Sequence, residues 1–278
     1  MAEPAADSPL ADLDGRVVVV TGAAQGIGAA TAAYLAARGT RVLLLDRDAE
    51  ALAATEKELL GAGLPIRAAV CDVSVEAEVE REVGRLRGEE GRCDGLVNNA
   101  ASIEWNELRT LDLAGWDRIL RNNLTSCFLC ARGFGALMLE REHGSIVNVS
   151  SVAGSAPEAG AGSYSAAKAG AIMLARQLAV EWGPRGVRAN AVSPGIIAAP
   201  MAQGFLADPE SLRQRLGMIA SERIGETDHI SALVAFLISD AAGFINGQNI
   251  EVDGGMMQML LKLLPHPGVR RSEDEEEA

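Results

Sequence analysis

Thr21-Gly22-Ala23-Ala24-Gln25-Gly26-Ile27-Gly28 is the stretch whose reading decides the fold. Before it stands Val17-Val18-Val19-Val20, and after it an alanine-rich run reaches Arg38 and stops at Gly39. Four β-branched residues in succession predict a buried strand, and the alanine-rich run predicts a helix. A glycine turn between strand and helix lets the backbone approach a pyrophosphate while the helix N-terminus faces its negative charge. The spacing is GxxxGxG rather than GxGxxG. Glycines alone are equally explained by a tight turn or close helix packing, so the motif gains its meaning from context.

That context continues along the chain. Strand patterns follow at 41–45, 66–70, 96–97, 145–149, 187–192 and 249–252, and helical patterns at 48–60, 74–87, 113–141, 163–182 and 228–239. Alternation of this kind is the βαβ signature of an α/β chain. It predicts a Rossmann-like doubly wound fold, with a seven-stranded parallel sheet and helices on both faces. No Gly, Ser or Pro linker divides the series, so 13–255 is expected to form one domain after a flexible segment at 1–12. Residues 256–278 form an extension. Residues 196–221 break the rhythm just after a strand's carboxyl end, where such folds bind ligands. They are expected to form a short helical lid, with a mere surface excursion as the alternative.

Composition narrows the function. Lys and Arg total 25 against 38 Asp and Glu, a formal net charge of -13, and aromatic residues are 4 % of the 278. Both argue against a nucleic-acid partner. Part of the acidity is the run at 273–277, read as a solvated tail. The first ten residues show no basic segment leading into an apolar run, so neither a signal peptide nor a transmembrane helix is expected, and the protein is placed in the cytoplasm. Cys71, Cys93, Cys127 and Cys130 are expected as free thiols. Cys127-x-x-Cys130 has redox or zinc spacing but sits in an apolar helical run, where core packing explains it better. His143, His229 and His266 are scattered, and no metal site is assigned.

Candidate ligand residues gather at strand ends. Gly22, Gln25, Gly26, Ile27 and Gly28 belong to the turn itself. Asp46 closes the second strand 24 positions after Gly22, near the offset at which a carboxylate meets an adenosine ribose, and would repel a 2′-phosphate. This favours NAD over NADP, although the neighbouring Arg47 is a good phosphate partner. A strand-end turn former is the alternative for Asp46. Asp72-Val73 and Asn98-Asn99-Ala100-Ala101 follow the third and fourth strands; Asp72 is equally well read as a helix cap.

Ser151, Tyr164 and Lys168 supply the chemistry. A phenol with a pKa of about 10 holds its proton near neutrality and needs help to exchange it. Lys168 lies four positions after Tyr164, on the same helix face, so its ammonium is expected beside the phenol, favouring the phenolate. Ser151 would hold a substrate oxygen. Ser150 is its rival, but adjacent strand residues point to opposite faces.

This ordered set resembles the short-chain dehydrogenase/reductase family, of the single-domain type. The likeness rests on residues 21–28, Asp72, Asn98-Asn99-Ala100, Asn123, Ser151, Tyr164-x-x-x-Lys168, Pro194-Gly195, Asn246-Gly247-Gln248 and Val252-Asp253-Gly254-Gly255. It implies that Tyr164 is the general acid/base for hydride transfer with a nicotinamide dinucleotide. It further implies that Lys168 binds the ribose hydroxyls, Ser151 polarises the carbonyl, and Asn123 anchors a water joining Lys168 to solvent. Pro194, Gly195 and Ile197 would lie against the nicotinamide, and the helices at 113–141 and 163–182 would pair in a homotetramer. Two positions depart from the pattern: Ala101 replaces the usual Gly, and Ala199 replaces a Thr. The leading expectation is an NAD-dependent dehydrogenase of secondary alcohols, equally a ketone reductase. An NADP-dependent reductase of 3-oxoacyl thioesters and a non-catalytic dinucleotide sensor or scaffold are the alternatives. Ala, Gly, Ile and Met in the variable stretches point to an apolar substrate. For 256–264, subunit packing or a pocket wall is preferred over a membrane-surface helix.

Overall fold

Aliphatic runs form the strands β1 (Val17–Thr21), β2 (Arg41–Asp46), β3 (Ile66–Val70), β4 (Gly95–Asn98), β5 (Gly144–Val149), β6 (Val187–Pro194) and β7 (Asn249–Val252). The computed structural model describes residues 10–263. The expectations for the acidic run at 273–277, for His266 and for most of the N-terminal segment fall outside the described residues. All seven strands join one sheet in the order β3-β2-β1-β4-β5-β6-β7, with every pairing parallel. The order reverses between β1 and β4, the kind of switch point at which open parallel sheets bind ligands beyond their strands' carboxyl ends.

A parallel sheet covered on both faces needs strands that are apolar throughout, as β1 is. Val18 and Val20 pack into one core layer and Val17 and Val19 into the other, because successive side chains alternate across the sheet.

Among the described residues the α-helices are α1 (Gly26–Ala36), α2 (Ala49–Gly61), α3 (Glu76–Glu89), α4 (Leu113–Leu120), α5 (Ser126–Glu140), α6 (Tyr164–Trp182), α7 (Gln203–Leu206), α8 (Pro209–Gly217) and α9 (Thr227–Ile238). Side chains of α1, α2 and α9 enter the Val18/Val20 layer, and those of α3, α5 and α6 the Val17/Val19 layer. Small residues let α9 pack closely: a Cβ added at Gly95 would meet Ile238 and Val18 at 3.0 Å. The Thr31 and Ser231 hydroxyls, 3.2 Å apart, pair α1 with α9 in the core.

One helix was expected over 113–141; the structure breaks it with a π-helical turn, Arg121–Thr125, between α4 and α5. The buried Asn123 amide donates to the Ile119 carbonyl at 2.9 Å, taking an acceptor that the helix ladder would otherwise use. Residues 196–221 do hold short helices: a 3₁₀ turn at Pro200–Ala202, then α7 and α8. Cys127 and Cys130 are buried on α5, and all four thiols are free.

Candidate active site

The glycine turn is built for close approach. A Cβ at Gly28 would sit 2.0 Å from the Gly22 carbonyl oxygen, and one at Gly22 would come within 2.7 Å of Ala100 Cα. Gly22 also has φ 64°, in the left-handed region that favours glycine. Asn99 fastens the turn to β4: its amide donates to the carbonyls of Thr21 and Gly22 at 3.1 and 3.0 Å. The Thr21 hydroxyl accepts in return from the backbone of Asn99 and Ala100. At the N-cap of α1, Gln25 gives no side-chain hydrogen bond to the helix amides.

A cleft of about 330 Å³ opens above this turn. Gly22, Gln25, Gly26 and Ile27 line one side, and Asp46, Arg47, Asp72, Val73, Asn99, Ala100 and Ala101 the rest. Gly28 lies beneath, where it permits the packing of turn on helix. Asp46 is already in use: its carboxylate accepts from the backbone N–H of Ala24 and of Asp48, both at 3.0 Å. Asp72 accepts from the Ser74 N–H at 2.9 Å, a turn bond rather than the helix cap considered for it, since Val75 is the N-cap of α3, and it still faces the cleft.

A second cavity, of about 720 Å³, adjoins the first and shares Ile27, Asn99, Ala101, Ala199 and Met201 with it. Ser151, Tyr164, Lys168, Pro194, Gly195 and Ile197 line it. Ser151 ends β5's exit and accepts from the Ala153 N–H at 3.1 Å. Tyr164 opens α6 and is 6 % exposed. Burial pushes its phenol up to about 12, a hydrogen bond with Ser151 pulls it back, and the nearby Glu158 charge adds to the rise. Lys168 is 2 % exposed, and its Nζ donates to the Val149 carbonyl at 2.9 Å. Burial lowers its ammonium to about 8, with Cys127 acting the other way.

The expectation that Lys168 depresses the phenol is therefore not met in this arrangement. Desolvation of both groups dominates, and the ammonium is engaged by a carbonyl rather than turned to the hydroxyl. Ser150, the rival serine, donates to the Lys168 carbonyl at 2.9 Å and serves as a strap on α6.

Asn123, in the π-helical turn, has no exposed surface. Its amide donates to the Ser102 carbonyl at 2.8 Å and its oxygen accepts from the Ser102 N–H at 3.3 Å. Asn122 adds a bond to the Ser102 hydroxyl at 3.0 Å. Sequence reasoning missed this clamp and the roles of Ser102 and Asn122. The only local signal was an Asn-Asn pair, two poor helix formers, in the middle of a helical run.

The family profile described as Enoyl-(Acyl carrier protein) reductase matches residues 22–257. The chain belongs to the short-chain dehydrogenase/reductase family. It is 38% identical over 245 residues to D-threitol dehydrogenase of Mycolicibacterium smegmatis, covering 87% of this chain and 93% of that one. It is 37% identical over 247 residues to the 3-oxoacyl-[acyl-carrier-protein] reductase of Synechocystis, covering 88% and 98%. A crystal structure of a gluconate 5-dehydrogenase from Burkholderia cenocepacia in complex with NADP and tartrate superposes with a TM-score of 0.85 at 29% identity, covering 90% of this chain and 99% of that one.

Within this family member, Ala101 and Ala199, the two departures from the usual pattern, both line the two cavities. Extended backbone at Ala199, with its N–H bonded to the Ile197 carbonyl at 2.8 Å, leads into Pro200. Pro200 in turn lies 3.2 Å from where a Gly26 Cβ would stand. Among the described residues no helix is long and apolar enough to cross a membrane. Nor do these residues contain a cluster of three or more His, Cys, Asp or Glu able to hold a metal ion. Of the histidines, His229 belongs to the cap of α9 and His143 lies 4.0 Å from Asp240.

Proposed function

We propose that this chain is an NAD(H)-dependent oxidoreductase that interconverts a secondary alcohol and a ketone, with Tyr164 as general acid/base. The observation that carries the reading is that Ser151, Tyr164 and the buried Lys168 line one cavity, which continues into the glycine-turn cleft. The residues fit a dinucleotide: glycines at 22 and 28 leave space that a Cβ would fill, and the N-terminus of α1 presents uncapped amides to a pyrophosphate. Gly22, Gln25, Gly26 and Ile27 would hold the pyrophosphate, Asp46 and Arg47 the adenosine side, and Pro194, Gly195 and Ile197 the nicotinamide. When bound, the dinucleotide supplies the hydride acceptor or donor.

The chain's own residues handle the proton. Ser151 offers a hydroxyl to the substrate oxygen, and the Tyr164 hydroxyl gives a proton to that oxygen in reduction or takes it in oxidation. A phenol held near 12 suits donation. To accept, it needs a positive charge beside it, and Lys168 is the residue that would supply one by turning its ammonium from the Val149 carbonyl toward the hydroxyl. Asn123 and Asn122 hold Ser102, which lines the glycine-turn cleft, in place.

Asp46 supports NAD, because a carboxylate repels a 2′-phosphate. The Synechocystis relative favours the second reading, an NADPH-dependent reductase of 3-oxoacyl thioesters. A non-catalytic sensor has no need of a proton donor in the cavity. Assaying a panel of secondary alcohols and ketones, and a 3-oxoacyl thioester, with each cofactor separates the readings. Preference for NAD with alcohols supports ours, and preference for NADPH with the thioester overturns it.

Further parts of the proposal concern assembly and place. Leu113, Phe128, Met173 and Val180 leave apolar surface exposed on α4, α5 and α6, Phe128 at 46% and Val180 at 75%. We read these faces as pairing in a homotetramer. Four free thiols suit the reducing cytoplasm. Residues 13–255 act as one domain in this reading, with 196–221 as the lid over the substrate.

A further inference from the structure

The end of β7 is built to send the chain back over the larger cavity. Gly254 and Gly255 both lie in the left-handed region, φ 65° and 84°. A Cβ on Gly254 would come within 2.5 Å of the Ser221 hydroxyl oxygen, and one on Gly255 within 2.9 Å of Ala220. Asp253 fixes the direction: its carboxylate accepts from the N–H of Gly255 at 2.8 Å and of Met257 at 2.7 Å. The Ser221 N–H donates to the Gly254 carbonyl at 3.0 Å, tying the turn to the end of the 196–221 arm. On the other side Gly195 packs so closely that its Cβ would meet Asp253 at 2.8 Å.

The result is that a 3₁₀ segment, Met256–Leu263, delivers Met256, Met257, Met259 and Leu260 to the cavity that holds Ser151 and Tyr164. Met201 and Met218, before and after α7 and α8, line the same cavity. Thioether side chains are apolar, polarizable and free to adjust, so they suit an irregular apolar ligand rather than a hydroxyl-rich one. Besides Lys168, the charged side chains lining it are Glu158 and Arg215, of opposite sign. The family profile ends at residue 257, before Met259 and Leu260.

We infer that Met256–Leu260 is the specificity wall of the active site and that the substrate is a bulky, uncharged, apolar secondary alcohol or its ketone, of bicyclic size. This rests on the alcohol–ketone reading above. The cavity of about 720 Å³ is in the range that encloses drug-sized ligands, with room left beyond the Pro194–Ile197 side where the nicotinamide belongs. Asp253 is a positioning residue, acting through the direction it gives the wall.

The test is kcat/KM for a graded series, 2-butanol, cyclohexanol and a decalin-type bicyclic alcohol, beside a tetritol, an aldonic acid and a 3-hydroxyacyl thioester, each with NAD and NADP. Specificity is expected to rise along the alcohol series by roughly fourfold per added methylene that is buried. In Met259→Ala and Leu260→Ala the bicyclic-to-butanol ratio falls on the order of tenfold, through KM. Met259→Leu, which keeps the volume, holds the ratio, and thermal melts check that each variant is folded. A wild-type preference for the tetritol, the acid or the thioester overturns the inference, as does an unchanged ratio in both alanine variants. Tyr164→Phe separates the two levels: turnover that survives it overturns the underlying mechanism. Turnover that it abolishes, but with the wrong preference in wild type, overturns the substrate class alone.

Discussion

Lys168 Nζ lies 5.5 Å from the centre of the Tyr164 ring, yet its hydrogen bond goes to the Val149 carbonyl. The two groups are thus neighbours whose shifts, down to about 8 for the amine and up to about 12 for the phenol, come from burial of each rather than from each other. Both shifts favour the neutral forms.

This gives a stability signature. The Lys168 pKa is lowered on folding, so between pH 8 and about 10.5 the unfolded chain binds more protons and stability rises with pH. Below pH 8 the full cost of burying the ammonium is present. Relative to Lys168→Met, the wild-type protein without added dinucleotide should gain about 2 kcal/mol between pH 7.5 and pH 10. Denaturant unfolding of both proteins at the two pH values measures it; a constant difference would mean that the charged amine is fully compensated.

Glycines provide a contrast. Gly28→Ala drives a Cβ against the Gly22 carbonyl and should cost about 3 kcal/mol and weaken dinucleotide binding at least tenfold. Gly84, in the interior of α3, has nothing within 4 Å of an added Cβ. Gly84→Ala should stabilise by about 0.5–1 kcal/mol and leave binding unchanged. Thermal melts and dinucleotide titration read both.

Asn123→Ala would leave the Ser102 and Ile119 carbonyls buried without their side-chain donor. At roughly 1–3 kcal/mol for each, the expected loss is about 2–6 kcal/mol, a melting point lower by on the order of 5–20 °C. Activity should fall too, because Ser102, which Asn123 holds, lines the glycine-turn cleft. Calorimetry beside steady-state kinetics checks both effects, and a melting point within 1 or 2 °C of wild type would contradict the clamp.

Asp46→Ser removes the charge that opposes a 2′-phosphate. The ratio of kcat/KM for NADP to that for NAD should rise on the order of 10- to 100-fold, about 1.4–2.8 kcal/mol. Because Asp46 also accepts from Ala24 and Asp48, a loss of about 1 kcal/mol in stability accompanies it.

The sequence made the sheet readable because each strand carries its own signal. Val17-Val18-Val19-Val20 is apolar on both faces wherever it is placed, and the glycines follow it directly. Ser151, Tyr164 and Lys168 were legible as a spacing. Their electrostatics were not: the degree of burial and the Val149 carbonyl depend on β5 and α6 packing together, which no local pattern reports. The π-turn was hidden for the same reason. Asn123 stabilises it by reaching Ser102, 21 residues away, and periodicity sees only neighbours. Met259 and Leu260 read as a short apolar run. Only the paired glycines after Val252 and the Asp253 bonds turn that run toward the active site.

The measurement that tests the central claim most directly is the rate of alcohol oxidation by Tyr164→Phe, at saturating substrate and dinucleotide, with binding of the dinucleotide checked by titration. Loss of the acid/base should lower kcat by about 10²–10⁴-fold while the dinucleotide still binds. A kcat within a fewfold of wild type would contradict the assignment of Tyr164 and with it the account of how this site moves a proton.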